Sequence, residues 1–335
     1  MLLRNGIRHA GNVRISDPQG NEAAFSVKRP RPRPKPDPKD DPIPPAGGSP
    51  VLAFQELIVN AEGLGARPDA IAELLHILEE PTVEAGRLLP LVQRDIGLTS
   101  RLLRTCNSPL YGLRREVGSV REALVLMGNR SFARMAFLLC VEDVLRRDLP
   151  AYGVSKDDFW RHGLMTAIGA AHVIDRLGRP EERDRAFTAG LLHDCGKILL
   201  ACDLDGLTDD VPNVDGHIPV EVERDLVGFD HAEAGCVIMD HWGFPPLLVH
   251  AIRCHHNPDC AGRWRDVALA VDVADTVAHL KALGVTYDPD APAAEHDMLF
   301  GLGVDPAIVR ELEEIIPDGQ EDAMADALKG APAQA

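Results

Sequence analysis

From residue 51 onward, apolar side chains recur at spacings of three and four, the repeat that lays one apolar stripe along an α-helix. Pro68-Asp69-Ala70-Ile71 opens the first clear run, which continues through Ile77-Leu78, and the pattern returns over 84–94 and 98–105. Asn107-Ser108-Pro109 stops the helix, and Tyr111-Gly112 starts a turn. Ser119-Val120-Arg121-Glu122 reads as a capping box that leads into Ala123-Leu124-Val125-Leu126-Met127, with Gly128 just past the end. Longer helices are predicted over 131–147, over 157–177 behind a Ser155 cap, and over 183–201. The polar stretch 203–217, rich in Gly, Pro and Asp, is read as a loop. Asp230 caps a further helix that ends at Trp242-Gly243-Phe244-Pro245, and helices follow over 246–256 and 266–283. A helix pair over 292–316 and a frayed acidic tail over 317–335 complete the chain.

The first fifty residues differ. Asn12-Val13-Arg14-Ile15-Ser16 and Ala23-Ala24-Phe25-Ser26-Val27 flank Asp17-Pro18-Gln19-Gly20-Asn21, a hairpin pattern. Two strands alone are marginal, so the expectation there is disorder or an element that needs a partner. Residues 28–50 alternate proline with Arg, Lys and Asp, which favours an extended polyproline II linker and forbids helix. The expected organisation is all-α behind this disordered, basic arm. The arm covers 1–50, an N-terminal helical bundle 51–150, a second helical subdomain 151–284, and C-terminal helices with the tail 285–335.

Composition narrows the picture. Over 335 residues, 45% are hydrophobic and 4% aromatic, with Leu, Ala and Val dominant, as packed helices require. A formal charge of −17 argues against a nucleic-acid-binding surface over the molecule. An RNA- or membrane-tethered adaptor using Lys28 to Lys39 is therefore the weakest reading. The seven cysteines are odd in number and scattered through apolar stretches, which reads as small buried hydrophobes in a reducing compartment. No run approaches the ~20 apolar residues of a membrane span. A soluble, cytoplasmic protein is the expectation.

The candidate chemistry centres on Ala189-Gly190-Leu191-Leu192-His193-Asp194-Cys195-Gly196-Lys197. A carboxylate beside an imidazole among leucines is costly unless a metal or a basic side chain compensates it. On one continuous helix, His193 and Asp194 would project about 100° apart, and both would reach an ion in the cleft between them. An N-capping Asp or a hydrogen-bonded core His is the plainer alternative for an isolated pair.

The segment Cys106-Asn107-Ser108-Pro109-Leu110-Tyr111-Gly112, followed by Ser119-Val120, Ala123-Leu124 and Met127-Gly128, resembles the signature of the HDOD domain. This family is a relative of the metal-dependent HD hydrolases that serves as a signalling output domain. The resemblance covers roughly 68–283. Here Asn107 and Ser108 are expected to satisfy helix-end groups rather than to do chemistry. His162, His193-Asp194, His231, His255-His256 and Asp275 follow the ligand order of the HD superfamily. Asp158, one turn before His162, resembles the extra carboxylate of the dinuclear HD-GYP phosphodiesterases. Asp275 is preferred to Asp272 because Val273-Ala274-Asp275-Thr276 better resembles the family's Ala-Asp motif. Asn257-Pro258-Asp259-Cys260 stands where those phosphodiesterases carry Gly-Tyr-Pro.

The resemblance implies one or two divalent transition metals per chain (Fe, Mn or Zn), with Asp194 as candidate bridge if two ions sit ~3.5–4 Å apart. Lys197 is the candidate phosphate contact or proton donor. Each ligand has a plainer reading: a helix-surface position for His162, a first-turn residue for His231, and contact with a helix C-terminus for His255 and His256. The leading functional expectation is a bacterial-type regulatory output protein that works through signalling protein partners. The alternative is a phosphohydrolase or phosphodiesterase acting on a nucleotide or other phosphoester.

Overall fold

The computed structural model describes residues 11–16, 22–27, 68–80, 82–109, 115–204, 218–282, 305–317, 324 and 327. The Pro-rich stretch 28–50, most of the predicted loop 203–217, the first part of the 292–316 pair and nearly all of the acidic tail lie outside them. Strands β1 (Gly11–Ser16) and β2 (Glu22–Val27) pair antiparallel, with Val13 opposite Phe25 and Ile15 opposite Ala23. This ladder follows the hairpin pattern of the sequence. Each strand supplies the other's backbone hydrogen bonds across the Asp-Pro-Gln-Gly-Asn link.

Several of the helices begin on a side-chain cap. In the N-terminal bundle the helices are α1 (Pro68–Glu79), α2 (Ala85–Gln93), α3 (Ile96–Cys106), α4 (Val120–Met127) and α5 (Asn129–Leu145). The Ser119 hydroxyl accepts from Glu122 N–H at the start of α4, and Gly128, at φ 77°, turns the chain from α4 into α5. Asn107 ends α3. Its side-chain amide donates to Val117 C=O at 3.0 Å and accepts from Val117 N–H at 2.7 Å, while Ser108 Oγ donates to Thr105 C=O. These contacts fix the α3–α4 connection and engage both polar atoms of the Asn107 amide.

The second half contains α6 (Lys156–Arg176), α7 (Arg183–Leu192), α8 (Lys197–Leu204), α9 (Val220–Val227), α10 (His231–His241), α11 (Pro246–Arg253), α12 (Arg265–Ala282) and α13 (Pro306–Ile315). Helix α6 packs against α7, α12 and α13, and α5 packs on α6. One apolar core thus runs through both halves of the chain. Lys281 donates to the carbonyls of Glu313 and Ile316 and ties the end of α13 to α12.

Two expectations are corrected here. The helix over 183–201 is interrupted: α7 stops at Leu192, residues 193–196 form a tight turn, and α8 starts at Lys197. The interruption lets Gly196 pass against the first turn of α10, so close that a Cβ there would stand 1.9 Å from His231 C=O and 2.6 Å from Gly235 N. The cysteines are not all free either. Cys254 and Cys260 are joined in a disulfide with their Cα atoms 5.7 Å apart, a pairing between near neighbours that an odd, scattered count hides. Cys106, Cys195 and Cys236 are buried free thiols, as expected of small hydrophobes, and burial pushes Cys106 up to about 11. No helix among the described residues is long and apolar enough to cross a membrane.

Candidate metal centre

Five segments converge on one site. His162 comes from the second turn of α6, His193 and Asp194 from the α7–α8 turn, and His231 from the first residue of α10. His255 and His256 follow α11, and Asp275 lies in α12. The capping box at Asp230 and Glu233 fixes the start of α10 and with it the place of His231.

These side chains form two groups that share one turn. In the first, His162 Nε2 lies 3.0 Å from Asp275 Oδ1 and 3.3 Å from His193 Nε2. In the second, His231 Nε2 lies 2.9 Å from His256 Nε2, with the His255 ring tilted against His256 at 3.9 Å between centroids. Asp194 stands between them. Its Oδ2 is 3.3 Å from His193 Nε2 and 3.6 Å from His162 Nε2, and its Oδ1 is 3.2 Å from His231 Nε2. Within each of the sets His162-His193-Asp275, His231-His255-His256 and His193-Asp194-His255, the candidate ligand atoms lie within 4.8 Å of one another. Two nitrogens bound to one ion at about 2.0–2.1 Å stand about 3.0–3.4 Å apart, close to the separations seen here.

The tautomers suit metal binding. His193 Nδ1 donates to Gly190 C=O at 2.8 Å and His255 Nδ1 to Ile252 C=O at 2.6 Å, since a carbonyl only accepts. Their Nε2 atoms are therefore the ones turned toward the cluster. His255 Nε2 is buried without any hydrogen-bond partner, which costs about 1–3 kcal/mol unless something electrophilic takes its lone pair. Burial, then the charges of His193 and His231, hold His255 well below the usual imidazole range, so it is neutral and ready to ligate.

The charges balance internally. Burial opposes ionisation of Asp194, but the charges of His193 and Lys197 outweigh it and hold the carboxyl well below its usual range. Asp275 is lowered in the same way: hydrogen bonds from His162 and His193 overcome its burial. Burial opposes charge on His193 as well, yet Asp194 and Asp275 raise it to about 10. A proton on His193 and the Lys197 ammonium thus neutralise two carboxylates. An ion must displace that proton, so below about pH 10 affinity climbs as pH rises. Metal titrations at pH 6, 7 and 8 should show tighter binding at each step, by up to about tenfold per unit for one proton released. A flat profile would contradict the proton's place on His193.

Asp158 stays outside the cluster, which corrects its expected ligand role. Its carboxylate is more than half exposed, accepts from Ser155 Oγ at 2.7 Å and pairs with Arg161 at 2.9 Å. Residues four apart share a face, but the first turn of α6 draws this carboxylate to its own cap and neighbour. Lys197 is buried, with Nζ 2.6 Å from Asp194 Oδ2 and 5.8 Å from the Tyr152 ring centroid, so its ammonium is bound to the carboxylate.

Two partners escaped the sequence reading. Glu223 in α9 is fully buried and accepts from His231 N–H at 2.8 Å, from His231 Nδ1 at 2.8 Å and from Tyr152 OH at 2.9 Å. The available signal was an acidic residue in the apolar phase of a short helix, three positions after Val220.

A family model for the HDOD domain matches residues 64–258. The fold is similar to the crystal structure of a candidate phosphohydrolase from Shewanella amazonensis SB2B, with 27% identity, a TM-score of 0.57, and coverage of 81% of this chain and 97% of that one. An HDOD domain protein from Geobacter sulfurreducens has 21% identity, a TM-score of 0.56, and coverage of 82% and 94%. A candidate signal transduction protein from Marinobacter aquaeolei VT8 has 21% identity, a TM-score of 0.60, and coverage of 84% and 67%. At 21% identity the last two speak for the fold alone. A curated relative from Treponema pallidum (strain Nichols) is 23% identical over 197 residues, which are 57% of this chain and 37% of that protein.

Proposed function

The chain belongs to the HDOD domain family, and from that premise we propose that it is a signal-output protein working as a metalloprotein, with two divalent transition-metal ions held across Asp194. His162, His193 and Asp275 would hold one ion and His231, His255 and His256 the other, with Asp194 between them. One observation carries the reading: the two oxygens of a single buried carboxylate face two separate histidine-rich groups. The partnerless His255 Nε2 supports it. Imidazole with carboxylate suits Fe, Mn or Zn. In this reading the protein acts in the cytoplasm on signalling protein partners, and the metal centre holds the core or senses a small ligand.

A second reading, a metal-dependent phosphohydrolase acting on a nucleotide or other phosphoester, is favoured by the open side of the cluster. His162 and Asp275 keep 20% and 12% of their side-chain surface, and His256 is also only partly buried. The Shewanella protein, above 25% identity, points the same way. Divalent ions in such a centre polarise phosphoryl oxygens and acidify water. The chain's own contribution is to orient the imidazoles through Gly190, Ile252 and Glu223, and to hold Asp194 ionised through Lys197. A phosphate would reach Lys197 only if its ammonium left Asp194.

Elemental analysis of protein purified without chelator, then loaded with Fe, Mn and Zn in turn, tests both readings. The expected result is two ions per chain, one in His256→Ala, and no phosphate release or dinucleotide cleavage above blank. Turnover that disappears in His256→Ala would promote the phosphohydrolase. Protein that stays metal-free in all three loadings would end the metalloprotein reading.

A further inference from the structure

We infer that Glu223, backed by Tyr152, is a positioning residue for the second ion: it fixes the His231 tautomer and strengthens Nε2 as a donor. The inference rests on the two-ion reading above. Helix α9 supplies none of the candidate ligands, yet it places a carboxylate of zero exposure against the first residue of α10. A buried carboxylate is tolerated only where donors meet it, and here three do. Tyr152 OH reaches Oε1, and both His231 N–H and His231 Nδ1 reach Oε2. Since Glu223 offers only acceptors on this side, an imidazole proton sits on Nδ1, and Nε2 is the nitrogen turned toward Asp194 Oδ1, 3.2 Å away.

His231 differs in this respect from two other candidate ligands. His193 and His255 turn Nδ1 to neutral backbone carbonyls, whereas His231 turns it to a carboxylate. A charged acceptor behind a ligating imidazole raises its basicity and fixes its orientation, and removing such a partner typically costs about 10–100-fold in metal affinity. The neighbouring Arg224 pairs with Asp230, the cap of α10, so α9 braces the same turn twice. Tyr152 anchors the far side of the carboxylate from the Pro150–Tyr152 turn, which belongs to neither half's ligand set.

Stepwise Zn titration of the full chain against a competing chelator tests this, with Glu223→Gln as the variant. Glutamine keeps the shape and one acceptor oxygen, and it can turn its NH2 toward the Tyr152 oxygen, but it drops the charge. One of the two affinities should fall about 10–100-fold while the other holds, and Tyr152→Phe should weaken the same step less. A purely structural role would lower both steps together, and that result, or two unchanged steps, would overturn the inference. If Glu223→Gln fails to fold, the side-chain nitrogen resonances of His231 in wild-type protein, identified by their loss in His231→Gln, decide the matter. A ring protonated at Nδ1 supports the inference, and a ring protonated at Nε2 alone overturns it. Wild-type protein that takes up fewer than two Zn overturns the two-ion reading and this inference with it, a failure already visible before any variant is made.

Discussion

Gly196→Ala should destabilise the metal-free protein by about 3 kcal/mol or more and abolish metal binding. The added methyl would meet His231 C=O and Gly235 N, both backbone atoms of α10, at separations no side-chain rotation can relieve. Relief requires the α7–α8 turn and α10 to move apart, and this contact is what holds His193 and Asp194 against His231. Gly86→Ala is the matching control, since its Cβ would meet nothing within 4 Å. It lies in α2, where alanine is the better helix former, and should be neutral or stabilising by about 0.5–1 kcal/mol. Urea midpoints of the two variants provide the comparison. An unchanged midpoint for Gly196→Ala would mean that the two backbones do not pass as closely as described.

Asp194→Ala should lose metal binding and about 3–5 kcal/mol of stability, because it strands the Lys197 ammonium in the core without its partner. Protonated His193 would lose the nearer of its two carboxylates as well. The charge and ligand roles separate in a double variant. Asp194→Ala with Lys197→Met removes the stranded cation and replaces it with an apolar chain of similar length, so stability should return in large part while the metal does not. Denaturation midpoints together with metal content read both effects. A double variant no more stable than the single one would show that the loss came from packing rather than from an unpaired charge.

The local signals in the sequence reached far. Ser119, Ser155 and Asp230 cap the helices they were expected to cap, and Asn107 closes α3 where the Asn-Ser-Pro break stands. The residues selected by family order, from His162 to Asp275, are brought within reach of one another, with Asp158 excepted. Spacing shows which residues share a face. It does not show whether a carboxylate near a helix start will bend back to its own cap, as Asp158 does toward Ser155. Nor could periodicity reveal the break after Leu192, since residues 183–201 keep a helical pattern through it. That break is dictated by the backbone of α10, which lies far along the chain. Glu223 was illegible for a related reason: one acid in an amphipathic helix reads as solvated until Tyr152 and His231 are seen to enclose it.

The depth of the cluster bears on how quickly ions come and go. His193, His231 and His255 are fully buried, while His162 and His256 are only partly buried. An ion entering such a centre would therefore meet His162 and His256 first and would complete its coordination only as it passed inward. Departure runs the same course in reverse. Chelators, which must wait for the outer ligands to let go, should strip the centre at a rate that saturates with chelator concentration. Equilibrium affinity and exchange rate are then set by different residues: the inner wall governs how tightly an ion is held, and the outer rim governs how long it takes to leave.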